Sequence, residues 1–161
     1  MLTLVIGGAA SGKSAYAEHL AVQSGGPRYY LATMQVWDAE CAARVAKHRA
    51  MRAQKQFATV ECPQNLHLVR LPQQGTARLE DFGNLAANEL YRPDGSCLPP
   101  KQAAEKMLAG IEAIAAQCNH LIIVSNEVFS GGADYAGETD LYLQALAMVN
   151  NAVAAKADAV C

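Results

Sequence analysis

The residues most able to do chemistry form one run near the start of the chain, Gly7-Gly8-Ala9-Ala10-Ser11-Gly12-Lys13-Ser14. It fits G-x-x-x-x-G-K-[ST], with the apolar Leu2-Thr3-Leu4-Val5-Ile6 before it and a helix-like run, Ala15 to Val22, after it. That setting matters, because the motif works as a turn between a buried strand and a helix N-terminus. There the backbone N–H groups and the positive helix end meet phosphate. Lys13 is placed to reach the β- and γ-phosphates, and the Ser14 hydroxyl to ligate Mg²⁺. The motif therefore predicts a bound nucleoside triphosphate.

A second cluster is Arg44-Val45-Ala46-Lys47-His48-Arg49-Ala50-Met51-Arg52. Arg44, His48 and Arg52 fall at i, i+4 and i+8, so a helix puts them on one face. A histidine between two arginines suits an imidazole facing phosphate. The arginines neutralise the anion and disfavour protonation of the ring, which keeps it nucleophilic. A basic, solvated helix face fits the same pattern. The other histidines, His19, His67 and His120, read as surface or strand-flanking residues.

The elements that must position these groups alternate between strand and helix. Leu2–Ile6 reads as a strand and Lys13–Gln23 as its helix, stopped by Ser24-Gly25-Gly26-Pro27. Arg28–Thr33 reads as a second strand, Asp38 to about Ala53 as a helix capped by Asp38, and Phe57–Glu61 as a short third strand. Leu66–Leu71 is compatible with strand or helix. Thr76–Asp81 reads as a weak strand and Gly83–Tyr91 as a short helix. Residues Tyr91 to Pro100 form a loop. Lys101–Gln117 is amphipathic, with Ala104, Met107, Leu108, Ile111, Ile114 and Ala115 on one stripe. Leu121–Val124 is a continuous apolar run of the kind found in central parallel strands. Glu138 to about Lys156 is the last helix. The fold class expected is α/β, a single three-layer P-loop NTPase-like domain over residues 1–161 with a mainly parallel sheet.

In such a sheet the ligand lies at the carboxyl ends of the strands. That singles out Thr33 to Trp37, Glu80-Asp81 and Ser125-Asn126-Glu127. An acid for Mg²⁺, in the role the Walker B Asp plays elsewhere, should come from among Glu80, Asp81 and Glu127, which spacing alone does not separate.

Composition sets further limits. The chain has 161 residues, 52% apolar and 17% charged, with a formal net charge of −2. It is long enough to bury a core without staples, and it has no global basic field to attract nucleic acid or an anionic membrane. No apolar run approaches a membrane span, and the short N-terminal one turns straight into the phosphate loop rather than into a signal-peptide pattern. The five cysteines have no C-x-x-C spacing, which points to reduced thiols and a cytoplasmic setting.

Taken together, these segments resemble the bifunctional adenosylcobinamide kinase / adenosylcobinamide-phosphate guanylyltransferase family of cobalamin biosynthesis. The opening loop is close to the family's G-G-A-R-S-G-K-S, and Tyr30-Leu31-Ala32-Thr33 to its Y-I-A-T. Asp38-x-Glu40-x-x-x-Arg44-Val45-x-x-His48-Arg49-x-x-Arg52 matches D-x-E-M-x-x-R-I-x-x-H-[RK]-x-x-R. Thr59-Val60-Glu61 corresponds to T-x-E, and Asn126-Glu127-Val128 with the later Asn150 to N-E-V-G-x-G and a late Asn. Glu80 aligns with the family's central-strand acid and Asn88 with an Asn beyond it.

The resemblance implies a two-step enzyme. It phosphorylates the aminopropanol hydroxyl of adenosylcobinamide with ATP or GTP, then takes GMP from GTP onto a histidine and passes it to the cobinamide phosphate. His48 matches that histidine. Gly7 to Ser14, Thr33, Arg44, Arg49, Arg52, Glu61 and Glu80 are implied to bind nucleotide, with Ser14 and Glu80 at Mg²⁺. A homotrimer is the assembly the resemblance suggests.

The chain departs from the family in several places. Ala10 stands where the family has Arg, and Ala77 to Asn84 is more polar than the family's D-x-x-T strand end. Phe129 to Asp134 replaces G-x-G-x-x-P, Tyr142-Leu143-Gln144 replaces F-R-D, and a final strand is expected to be shortened or missing after Ala159-Val160-Cys161. Another small-molecule kinase, needing Lys13 but not His48, and a non-catalytic nucleotide-binding relative remain the alternatives.

Overall fold

The apolar run before the phosphate loop is strand β1 (Leu2–Gly7), and the residues after it form helix α1 (Lys13–Ser24). In the computed structural model the described residues are 1–7, 12–24, 26–33, 57–80, 82–91, 96–126 and 138–161, with positions 39, 42, 43, 46, 47 and 50. The remaining strands are β2 (Arg28–Ala32), β3 (Phe57–Glu61), β4 (Thr76–Glu80), β5 (His120–Asn126) and β6 (Ala159–Val160). The remaining helices named among the described residues are α2 (Phe82–Leu90), α3 (Pro100–Ala115) and α4 (Glu138–Lys156). The expected helix from Asp38 falls mostly outside these residues, although Ala39, Ala42, Ala43, Ala46, Lys47 and Ala50 are helical and exposed.

The six strands form one sheet in the order β3-β2-β4-β5-β1-β6, with every pairing parallel. Side chains alternate across it, and the sequence supplies a different set to each face. Leu4, Leu31, Leu79, Leu121 and Ile123 join Met107, Ile111, Leu146 and Val149 in one cluster with α2, α3 and α4. Val5, Phe57, Ile122 and Val124 join Ala17 and Ala21 of α1 in a second. Small alanines on α1 let that helix lie close to the sheet. This is the expected three-layer α/β arrangement, and each large aliphatic side chain it buries stabilises it by about 1.5–3 kcal/mol.

One expectation is corrected. Thr76–Glu80 is a full strand between β2 and β5 rather than a weak one, because neighbours on both sides complete its ladder. Of the two outcomes expected for the edge strand, shortened or missing, the short one is found: Ala159 and Val160 pair with Thr3 and Leu4, and Ile6 N–H donates to Cys161 O at 3.0 Å.

The ambiguous Leu66–Leu71 stretch is neither strand nor α-helix but a 3₁₀ turn, Leu66–Leu68, followed by extended chain. It lies against α3, where a Cβ on Gly110 would come within 2.7 Å of Leu66 Cβ. Gln117, just past α3, holds it by accepting from Leu71 N–H at 2.7 Å and donating to Val69 O at 2.9 Å.

Candidate functional site

At the carboxyl end of β1, Gly7 pairs with Asn126 of β5. Gly12 then takes a positive φ of 81°, a conformation glycine adopts without a steric penalty. Its carbonyl accepts from Tyr16 N–H at 3.1 Å, so Gly12 caps α1 and Lys13 opens it. The first turn of α1 carries no acidic side chain. Its orphan N–H groups and positive dipole end are therefore suited to an external anion. A cavity of about 370 Å³ opens here, lined by Val5, Ile6, Gly7, Gly12, Lys13, Tyr16 and Cys161. Tyr16 donates its hydroxyl to Cys161 Sγ at 3.6 Å, a bond that pushes its phenol above its ordinary range.

Two other strands, β3 and β4, carry acids at their carboxyl ends. In register, Glu61 lies opposite Ala32, Ala32 opposite Glu80, Glu80 opposite Val124 and Val124 opposite Val5. All of these occupy the face that α1 covers, so Glu61 and Glu80 flank the small Ala32 at about 10 Å, two strand spacings apart. Glu80 Oε2 accepts from Tyr30 Oη at 2.8 Å and from Arg78 Nη2 at 2.7 Å. Arg78 Nη1 also lies 3.8 Å from Glu18 Oε2 on α1.

Thr33, expected as a nucleotide contact, directly follows the end of β2. It is fully buried, and its hydroxyl and N–H both donate to Glu80 O, at 3.0 and 3.4 Å. Its carbonyl accepts from Asn88 Nδ2 at 2.7 Å. Thr33 thus ties the ends of β2, β4 and helix α2 together. Behind it, the Cys62 thiol is pushed up to about 12 by burial.

Of the residues singled out by sequence, Gly7, Gly12, Lys13, Thr33, Glu61 and Glu80 are brought to this one edge of the sheet. Gly8, Ala9, Ala10, Ser11, Arg44, His48, Arg49, Arg52, Asp81 and Glu127 lie outside the described residues, as do Met34 to Trp37 and the Ser14 side chain. Sequence reading missed Arg78, Tyr30 and Glu18. The available signal was a single Arg in a strand that also ends in Glu.

His120 is at the opposite edge, bonded through Nε2 to Thr3 Oγ1 at 2.8 Å and through Nδ1 to Ser24 Oγ at 3.1 Å. Cys62, Cys97, Cys118 and Cys161 are free thiols. No helix among the described residues is long and apolar enough to cross a membrane.

The sequence matches the family described as cobinamide kinase / cobinamide phosphate guanyltransferase over residues 3–161. It is 32% identical over 162 residues to the bifunctional adenosylcobalamin biosynthesis protein CobP of Pseudomonas aeruginosa, spanning 99% of this chain and 91% of that one. It is 35% identical over 143 residues to the bifunctional adenosylcobalamin biosynthesis protein CobU of Escherichia coli, spanning 81% and 77%. With the protein of that name from Salmonella typhimurium it shares 30% over 171 residues, spanning 99% and 93%. A phosphate loop at the edge of a parallel sheet occurs in many nucleotide-binding proteins. A match running from residue 3 to residue 161 is far narrower, and by it the chain belongs to the cobinamide kinase / cobinamide phosphate guanyltransferase family.

Proposed function

We propose that this enzyme phosphorylates adenosylcobinamide with ATP or GTP and then attaches GMP from GTP to the product through a covalent histidine intermediate. The observation that carries the reading is the start of α1. Gly12, in the left-handed region, and Lys13 line one cavity at the helix N-terminus, where the first turn offers its backbone N–H groups as donors. In the first step those donors hold the γ-phosphoryl group as the corrinoid side-chain hydroxyl oxygen attacks phosphorus and the bond to the β-phosphate oxygen breaks.

In the second step a His48 ring nitrogen attacks the α-phosphorus of GTP, and pyrophosphate leaves with the bonding pair. A phosphate oxygen of cobinamide phosphate then attacks the same phosphorus, the N–P bond breaks, and His48 regains its lone pair. Splitting one transfer into two in this way replaces a single difficult displacement by two easier ones. Arg44 and Arg52, four residues either side of His48, and the adjacent Arg49 supply positive charge for the phosphoryl oxygens.

Mg²⁺ suits the oxygen donors available, the Ser14 hydroxyl and the Glu80 carboxylate, which ends β4 on the α1 side. When bound it neutralises charge on the phosphates. Glu61, across Ala32 from Glu80, offers a second acceptor to the nucleotide. The same reading carries a cytoplasmic location and a homotrimeric assembly.

Intact-mass measurement after incubation with GTP and Mg²⁺ tests the second step. An acid-labile GMP adduct is expected on the parent and none on His48→Ala. An adduct that persists in His48→Ala removes the assigned nucleophile. No adduct on either, with GTP binding confirmed by titration, leaves a kinase or a non-catalytic nucleotide-binding protein.

A further inference from the structure

Arg78 lies on β4, with hydrogen-bonded strands on either side, and its side chain is only 6% exposed. A guanidinium stays in such a place when its charge and N–H groups find partners. Packing alone does not call for it, because Ile122 fills the paired position of β5 on the same face with an aliphatic side chain.

The partners of Arg78 are unevenly placed. Nη2 is 2.7 Å from Glu80 Oε2, while Nη1 reaches Glu18 of α1 at 3.8 Å. The guanidinium carbon sits 5.0 Å from the Tyr30 ring centre and 5.8 Å from that of Phe57, within cation–π range. Tyr30 then donates its hydroxyl to the same Glu80 oxygen that Arg78 holds. Two donors fixed by their own stacking converge on one carboxylate oxygen, which sets the direction in which that carboxylate faces.

We propose that Arg78 is a positioning residue of the nucleotide site: with Tyr30 it fixes the orientation of the Glu80 carboxylate, and through Glu18 it couples that carboxylate to the helix that carries Lys13. The proposal rests on the reading of Glu80 as a nucleotide-facing group. It requires Arg78 to act only through Glu80, so its effect vanishes once Glu80 has been changed.

The test is a double-mutant cycle on the full chain, reading the GTP dissociation constant and the split between kcat and KM. The variants are Arg78→Met, Arg78→Lys, Glu80→Gln and Arg78→Met with Glu80→Gln, all measured below their melting temperatures. Arg78→Met is expected to weaken GTP binding about tenfold, the double variant to bind no worse than Glu80→Gln alone, and Arg78→Lys to recover part of the loss. Losses that multiply in the double variant overturn the proposal, as does an Arg78→Met protein that binds GTP like the parent. If Glu80→Gln by itself leaves binding unchanged, the reading of Glu80 falls and the proposal with it, a result distinct from multiplied losses. Should Arg78→Met fail to fold, Tyr30→Phe removes one donor from Glu80 Oε2 and keeps the stacked ring. In the same cycle it is expected to weaken binding a few-fold, and only when Glu80 is present.

Discussion

On the face of the sheet that meets α2, α3 and α4, one row across four neighbouring strands reads Leu31, Leu79, Ile123 and Leu4, each at most 1% exposed. One residue earlier, on the face that meets α1, the same strands present Tyr30, Arg78, Ile122 and Thr3. The first row is held by contact alone, so any well-packed aliphatic set of similar volume would serve. In the second, three of the four residues have assigned polar partners: Tyr30 and Arg78 with Glu80, Thr3 with His120. The aliphatic face supplies stability. The α1 face uses some of its interior to hold groups in fixed directions.

This contrast can be broken by substitutions that separate the two properties. Lys13→Ala, on the α1 side, should lower both phosphoryl and guanylyl transfer by about 10²–10³-fold, the scale of losing one charge-stabilising donor. Its thermal unfolding midpoint should stay at the parental value. A lowered midpoint would mean that the phosphate loop also carries stability. Leu79→Ala, on the other face, should cost about 2–5 kcal/mol in urea unfolding. Its GTP dissociation constant, read where the variant is still folded, should be unchanged. A clear loss of binding there would show that the aliphatic row also sets the site.

The smallest effect concerns the amino end of the α1 face. Burial, and then the nearby N-terminal ammonium, lower the His120 pKa from 6.5, while Asp158 opposes them. Below pH 6.5 the unfolded chain takes up a proton that the folded protein resists, so this group costs stability as pH falls through that value and has no effect well above it. In urea unfolding followed from about pH 7.5 to about pH 5.5, His120→Gln should show a shallower acid decline than the parent. An unchanged slope would take His120 out of the account.

The α1 face is also where sequence reading was weakest. β1 and α1 were legible because the motif and its flanking apolar run are contiguous. β5 was legible because its apolar run is unbroken. β4 looked like a poor strand because Arg78 and Glu80 are costly in a sheet interior when read locally. What offsets that cost comes from Tyr30 and Glu18, which lie far away in sequence and meet Arg78 only in the fold. Thr33 was placed at the correct strand end, but its inward bond to Glu80 depends on the β2–β4 pairing, which no local pattern reveals. The Leu66–Leu68 turn depends in the same way on Gly110 and Gln117, residues of or just beyond a later helix.

The position of β1 has a consequence for the order in which the protein assembles. The strand that leads into the phosphate loop comes first in the chain, yet its neighbours in the sheet, β5 and β6, begin only at His120 and Ala159. Until they arrive β1 has no ladder, and the closure entropy of that long intervening segment must be met before any of its hydrogen bonds form. The residues of β1 are therefore among the last to reach their final geometry. On stalled nascent chains, GTP should give protection from proteolysis only after β5 has emerged from the ribosome.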